Sequence, residues 1–156
     1  MININVPNLD AVLNELSKEL SKVTTDKFVT VGVHQDDNAR PSDTMTNAQI
    51  GALNHFGTSD IPARPWLDVG VASASQEIVD TIADAIEDGE PMDVALNRVG
   101  LVAVAGVQDY MDELSTPRNA PSTIAKKGDD NPLIDTGEVK QSVTYKITNT
   151  KPSEGI

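Results

Sequence analysis

The sequence predicts an α+β fold, a small, mostly antiparallel sheet with about three substantial helices packed on one face and a long Pro-rich loop before the last strand. Three observations carry this. Apolar residues recur at helical spacing in several separated stretches, two short segments alternate with a period of two, and aromatics make up only 3% of a chain that is 38% apolar. A core so poor in large rings has to be built from Val, Ile, Leu and Ala, which favours helix packing. A length of 156 residues suits one core. Residues 1–148 read as a single domain and 149–156 as a flexible C-terminal tail.

Leu9, Val12, Leu13, Leu16, Leu20 and Val23 follow Pro7 and the capping candidate Asn8, so residues 9–23 are expected to form an amphipathic helix with one face in the core. Ile2 to Val6 would supply a short third strand. Phe28 to Val33 places valines at period two, the mark of a half-buried strand. The polar stretch Gln35 to Thr46 reads as a loop, and residues 46–56 as a short helix with Ile50, Leu53 and Phe56 on one side, ended by Gly57. Pro62 and Pro65 keep the residues before them extended, so 57–66 should cross the molecule without being helical.

Helix resumes after Pro65 and is expected to run from 66 to 87, with Ile78, Val79, Ile82 and Ile86 as its apolar stripe and Gly89 as its stop. Residues 91–114 form the next helix. Its centre, Val99 to Val107, is apolar nearly all round, which places it at the middle of the fold or between subunits, with a buried strand as the lesser reading. Residues 115–137 hold three prolines, two glycines and few apolar groups, a loop long enough to be either functional or disordered. Val139, Gln141, Val143, Tyr145 and Ile147 then alternate as a last strand, with Tyr145 and Ile147 in the sheet core.

Composition excludes several function classes. With no cysteine there is no disulfide, no thiolate nucleophile and no Cys-based zinc site. The 24 acidic residues outnumber 12 basic ones for a net charge of −12, the wrong sign for gripping phosphates, so sequence-specific nucleic-acid binding is not expected. A wall of negative charge would instead let DNA slide past without sticking. The N-terminus lacks a basic, apolar leader and nothing approaches the roughly 20 apolar residues of a membrane span. A soluble protein made in the cytoplasm, without membrane contact, is the expectation.

Two blocks of residues resemble a known family. Ala52-Leu53-Asn54-His55-Phe56-Gly57-Thr58 and Ile61-Pro62-Ala63-Arg64-Pro65-Trp66-Leu67 form the first. Asn119 to Gly128, then Pro132-Leu133-Ile134-Asp135-Thr136-Gly137-Glu138-Val139-Lys140-Gln141-Ser142, form the second. In this order they resemble the neck, tail-completion and virion-morphogenesis proteins of tailed bacteriophages, over about residues 29–147. Trp66 stands where Phe is usual and Val139 where Leu is usual. The resemblance implies a structural virion protein assembled as a ring, of six copies, at the neck or tail end. Its partners would be itself and other neck, connector or tail proteins, and it would need no cofactor.

The long loop carries Arg118, Lys126 and Lys127, a quarter of the basic residues, on an otherwise acidic chain. Contacts from it to a neighbour's acidic face would be complementary, and head-to-tail contacts of that kind close into rings. Arg64 admits two readings, a bidentate pair with a neighbour's carboxylate or an intrachain clamp on the crossing segment. Trp66 is a core anchor or an interface residue. Asp135 joins them as a subunit-contact candidate, and Gly137 as a turn before the last strand.

His34 and His55 lack metal-binding spacing, and Asp36-Asp37-Asn38 and Asp129-Asp130-Asn131 lack the pattern of a calcium loop. Ser42, Ser122 and Thr123 stand near no identifiable base, and no phosphate-loop or nucleophile-elbow motif occurs. No enzyme chemistry is expected. A competing class is an acidic DNA mimic that inhibits a host nuclease. It explains the charge and leaves the two blocks unexplained.

Overall fold

The structure is a computed structural model that describes residues 9–34, 45–128, 130–133 and 137–152. The expected strand at Ile2 to Val6, the polar stretch 35–44, Asp135 with its two neighbours, and the last four residues lie outside the described residues. The order of elements is α1 (Leu9–Val23), β1 (Phe28–Val33), α2 (Asn47–Phe56), α3 (Trp66–Ser73), α4 (Ser75–Glu87), α5 (Met92–Glu113), α6 (Pro121–Lys127), α7 (Glu138–Gln141) and β2 (Val143–Thr148). The fold is α+β.

Among the described residues the sheet has two strands. β1 and β2 pair antiparallel, with Phe28 opposite Thr148 and Val33 opposite Val143. Alternation along the strands turns Val31, Val33 and Val143 towards a core centred on Trp66, Val107 and Met111. The other side of the sheet is polar: the ring of His34 lies 3.1 Å from Thr30 Oγ1 and 3.0 Å from Thr144 Oγ1.

Helix α5 is central, packing on both strands, on α3 and on α4. The helical reading of Val99 to Val107 is therefore the one observed, with Val99, Gly100, Ala103 and Val107 buried along it. Small residues let neighbouring backbones touch it. A Cβ on Gly70 of α3 would stand 2.7 Å from Val107 Cα, and one on Gly106 would stand 2.5 Å from Ala74 Cβ.

That crossing marks a departure from the single helix expected over 66–87. The chain breaks at Ala74, whose φ of −87° and ψ of 1° lie outside the helical well, giving α3 and α4. On α4 the buried residues are Thr81 and Ala85, while Val79 and Ile86 of the expected stripe are exposed.

Three further expectations need correction. α1 forms where its periodicity places it, but Leu13, Leu16, Leu20 and Val23 of its apolar stripe are exposed and not in the core. The apolar face of the sheet is occupied by α5, and the opposite face carries Thr30 and His34 with Phe28 at its edge. α2 buries Asn47, Gly51 and His55, with Phe56 exposed, because the ring of Trp66 lies against Gly51. The last strand starts at Val143 and not at Val139. Gly137, at φ +77°, opens the helical turn α7, which closes with Ser142 N–H donating to Glu138 O at 3.0 Å.

The loop 115–137 also holds more structure than expected. Pro121 at the first turn, Gly128 at φ +76° just past the end, and Lys126 and Lys127 in the last turn delimit α6. No helix among the described residues is long and apolar enough to cross a membrane.

A candidate assembly site around Arg64

The first sequence block owes its shape to one glycine and a cap. Thr46 closes the start of α2 as a capping box, its Oγ1 accepting from Gln49 N–H at 3.2 Å while Gln49 Oε1 accepts from Thr46 N–H at 2.9 Å. At the other end Gly57 has φ +75°, and a Cβ there would strike Ala63 N at 2.6 Å and Ile61 O at 2.7 Å. Only glycine lets the chain fold back so tightly. Thr58 Oγ1 then accepts from the N–H groups of Asp60 and Ile61 at 3.1 and 3.0 Å. Arg64 N–H donates to Asn54 O at 2.8 Å, which pins the crossing segment along α2.

Arg64 is 2% exposed and is engaged within its own chain. Its Nε donates to Pro117 O at 2.9 Å, one terminal nitrogen to Asn54 Oδ1 at 3.3 Å, and the other to Arg118 O at 3.2 Å and Asn119 Oδ1 at 3.4 Å. None of these four acceptors is a carboxylate; carbonyl dipoles hold the charge. Burial pulls the pKa of the guanidinium down from its ordinary value, yet the group stays protonated at any ordinary pH. This is the geometry of the intrachain clamp, and the bidentate pairing with a carboxylate is not what the four acceptors provide.

Three of the four acceptors come from the chain entering the second block, and that block is tied to the end of α5. Asn119 Nδ2 and Lys127 Nζ both donate to Asn131 O, at 3.3 and 2.8 Å. Asn131 Nδ2 donates to Asp112 O at 3.0 Å, and its Oδ1 accepts from Leu133 N–H at 3.1 Å. Arg118 pairs with Asp130, Nε to Oδ2 at 2.6 Å. Lys140 pairs with Asp112, and Gln108 Nε2 donates to Lys140 O at 3.1 Å. Between the blocks lies a cleft of about 330 Å³ whose walls include Ile50, Asn54, Arg64, Lys127, Leu133 and Val139.

The candidates drawn from the sequence thus part company. Arg64, Arg118 and Lys127 come together at this joint. Trp66 is a core residue, 4% exposed, its Nε1 donating to Gly51 O at 3.0 Å. Lys126 projects from the exposed last turn of α6. Asp135 lies outside the described residues. Asn54, Asn119 and Asn131 carry much of the joint and went unassigned in the sequence; a short amide beside a Pro-rich turn was the signal available.

The two histidines have different surroundings. His34 sits between two threonines, while His55 is buried with its ring edge-on to Phe56 and Trp66 and its Nε2 3.4 Å from Asp68 Oδ2. Both line a second cavity, of about 370 Å³, beside β1 and α2. Among the described residues no three metal-ligating side chains converge. What the Arg64 joint can do chemically is fix backbone in place. Compared with known proteins, the chain matches no family model, no curated protein and no solved structure.

Proposed function

We propose that this chain is a non-catalytic structural protein of a tailed-phage particle, acting as a ring, of six copies, in the neck or tail-completion region. One observation carries the reading. The two blocks that resemble that family, far apart in sequence, fold onto a single joint in which Arg64 of the first is held by the carbonyls of Pro117 and Arg118 at the threshold of the second. A ring subunit needs a loop of fixed shape to present to its neighbour, and a buried arginine forked over backbone carbonyls gives such rigidity.

In this reading the joint holds the end of α6, with Lys126, at the surface of a chain of charge −12. A basic tip meeting the next copy's acidic face is a head-to-tail contact, which closes into a ring when the rotation allows. The remaining acidic surface, turned to the lumen, repels DNA and lets it pass. The ring would bind a connector above or a tail component below.

The test is negative-stain electron microscopy of the full-length protein over a range of concentration. The proposal expects closed rings with a central hole in class averages, and Lys126→Glu should reduce their number. Particles of single-subunit size at every concentration, with or without purified head or tail particles, would count against it.

A further inference from the structure

From the open edge of β1 we infer that a neighbouring copy adds its N-terminal segment, residues 2–6, as a third strand in the groove between β1 and α2. Among the described residues β1 has β2 on one side and no strand on the other. A two-stranded ribbon is marginal by itself, and a bare edge presents a row of N–H and C=O groups that suits another extended chain. Thr30 Oγ1 donates to Lys146 O at 3.3 Å. That carbonyl therefore points at Thr30, and the two residues, which are opposite each other, form a hydrogen-bonded pair of the ladder. Val29, Val31 and Val33, one step out of phase, turn their backbone groups the other way, along the open edge.

The edge borders the cavity of about 370 Å³. One wall is residues 30–34 without a gap. Successive side chains of a strand point to opposite faces, so this wall is the edge itself. The other wall is the Ala48, Ala52 and His55 side of α2, with Trp66 and Leu67 completing it. Strand on one side and helix on the other make a groove for strand addition, in which backbone bonds give affinity and alternate side chains select the occupant.

The groove has two unlike faces. Towards the core lie Val31, Val33, Trp66 and Leu67, and on the other face Thr30 and His34 meet each other. An added strand needs apolar residues at every second position with polar ones between, and Ile2-Asn3-Ile4-Asn5-Val6 has that pattern. Of the other stretches outside the described residues, 35–44 carries Asp36, Asp37, Arg40 and Asp43 without alternation, and 134–136 and 153–156 are too short. Residues 1–8 hold no charged side chain, so within a chain of charge −12 they enter an acidic neighbour with little repulsion.

Reach assigns the segment to a neighbour. Only Pro7 and Asn8 separate it from α1, so in its own chain it meets β1 only if the first turns of α1 also lie beside the sheet. They do not pack there: Leu13 and Leu16 are 52% and 54% exposed. The 15 residues of α1 make an arm of about 22 Å, long enough to carry the segment to the next copy. The contact joins two different surfaces, arm to groove, and stands whether or not the copies close into a ring.

The absence of cysteine makes the test direct. With the two strands centred on each other, Ile4 lies opposite Val31 in either direction, at a separation a disulfide spans. Full-length Ile4→Cys and Val31→Cys proteins are mixed and oxidised. Their mixed disulfide should form at least about tenfold faster than that of Asn3→Cys or Asn5→Cys with Val31→Cys, because those positions face the other side. Equal rates along the segment, or no cross-link, would overturn the inference, and so would closure within one chain when Ile4→Cys and Val31→Cys are combined. A second readout leaves β1 unaltered. In Ile4→Asp, at a concentration where the parent associates, hydrogen exchange along β1 should quicken by more than about tenfold with the centre of α5 unchanged; unchanged exchange on β1 would also overturn it. Cross-linking without rings, or rings without cross-linking, separates this contact from the function proposed above.

Discussion

Replacing Arg64 by Ala asks how much the joint matters. The side chain makes two well-formed hydrogen bonds, at 2.9 Å to Pro117 O and 3.2 Å to Arg118 O, and two longer ones at 3.3 and 3.4 Å. Hydrogen bonds from a charged donor are each worth about 1.5–3 kcal/mol net, so the two good ones amount to about 3–6 kcal/mol. Removing the guanidinium also removes its own desolvation cost, which offsets part of that loss. A net destabilisation of about 2–4 kcal/mol follows, a large share of the roughly 5–15 kcal/mol of a typical domain. For a chain of this size each kcal/mol moves the melting temperature by about 2–4 °C, so a fall of about 5–15 °C is expected. Circular dichroism measures it, with the emission of Trp66, the single tryptophan, as a probe of the same joint. Arg64→Lys should recover less than half, since an ammonium cannot reach acceptors on both segments in the fork geometry of a guanidinium. A melting temperature within about 2 °C of the parent would refute the clamp, and lost assembly at unchanged stability would put Arg64 at the subunit contact instead.

Two other substitutions test the packing beneath the joint. Gly70→Ala places a methyl 2.7 Å from Val107 Cα, backbone that cannot yield. It should destabilise by about 1–3 kcal/mol in urea titrations with an unchanged slope. Asn131→Ala removes the bond to Asp112 O and the one from Leu133 N–H, at 3.0 and 3.1 Å. A loss of about 1–2 kcal/mol and faster hydrogen exchange at Leu133 are expected, with the centre of α5 unaffected.

Periodicity made α1, β1, α2 and α5 legible, because their apolar spacing is local. The break at Ala74 was not: neither Pro nor Gly marks it, and it lies where Gly70 and Ala74 meet Gly106 and Val107, a contact made only in three dimensions. The alternation of Val139 with Val143 looked like strand, yet Gly137 starts a helical turn there. α6 had readable ends in Pro121 and Gly128, but seven residues between them are too few to show a period. Where the stripe of α1 goes was equally hidden, since spacing states that a face is apolar and not what covers it. At the site, the sequence brought Arg64 forward and left its two readings level. Three of its four acceptors lie more than 50 residues away, and no spacing rule reports a carbonyl.

The central claim, an assembly protein, meets its most direct test in the solution mass of the full-length chain, by light scattering across concentration and salt. The account predicts a species several times the 16.6 kDa of one chain, weakened by salt where the basic tip meets acidic surface. A mass of one chain throughout, unchanged when purified phage heads or tails are added, would contradict it.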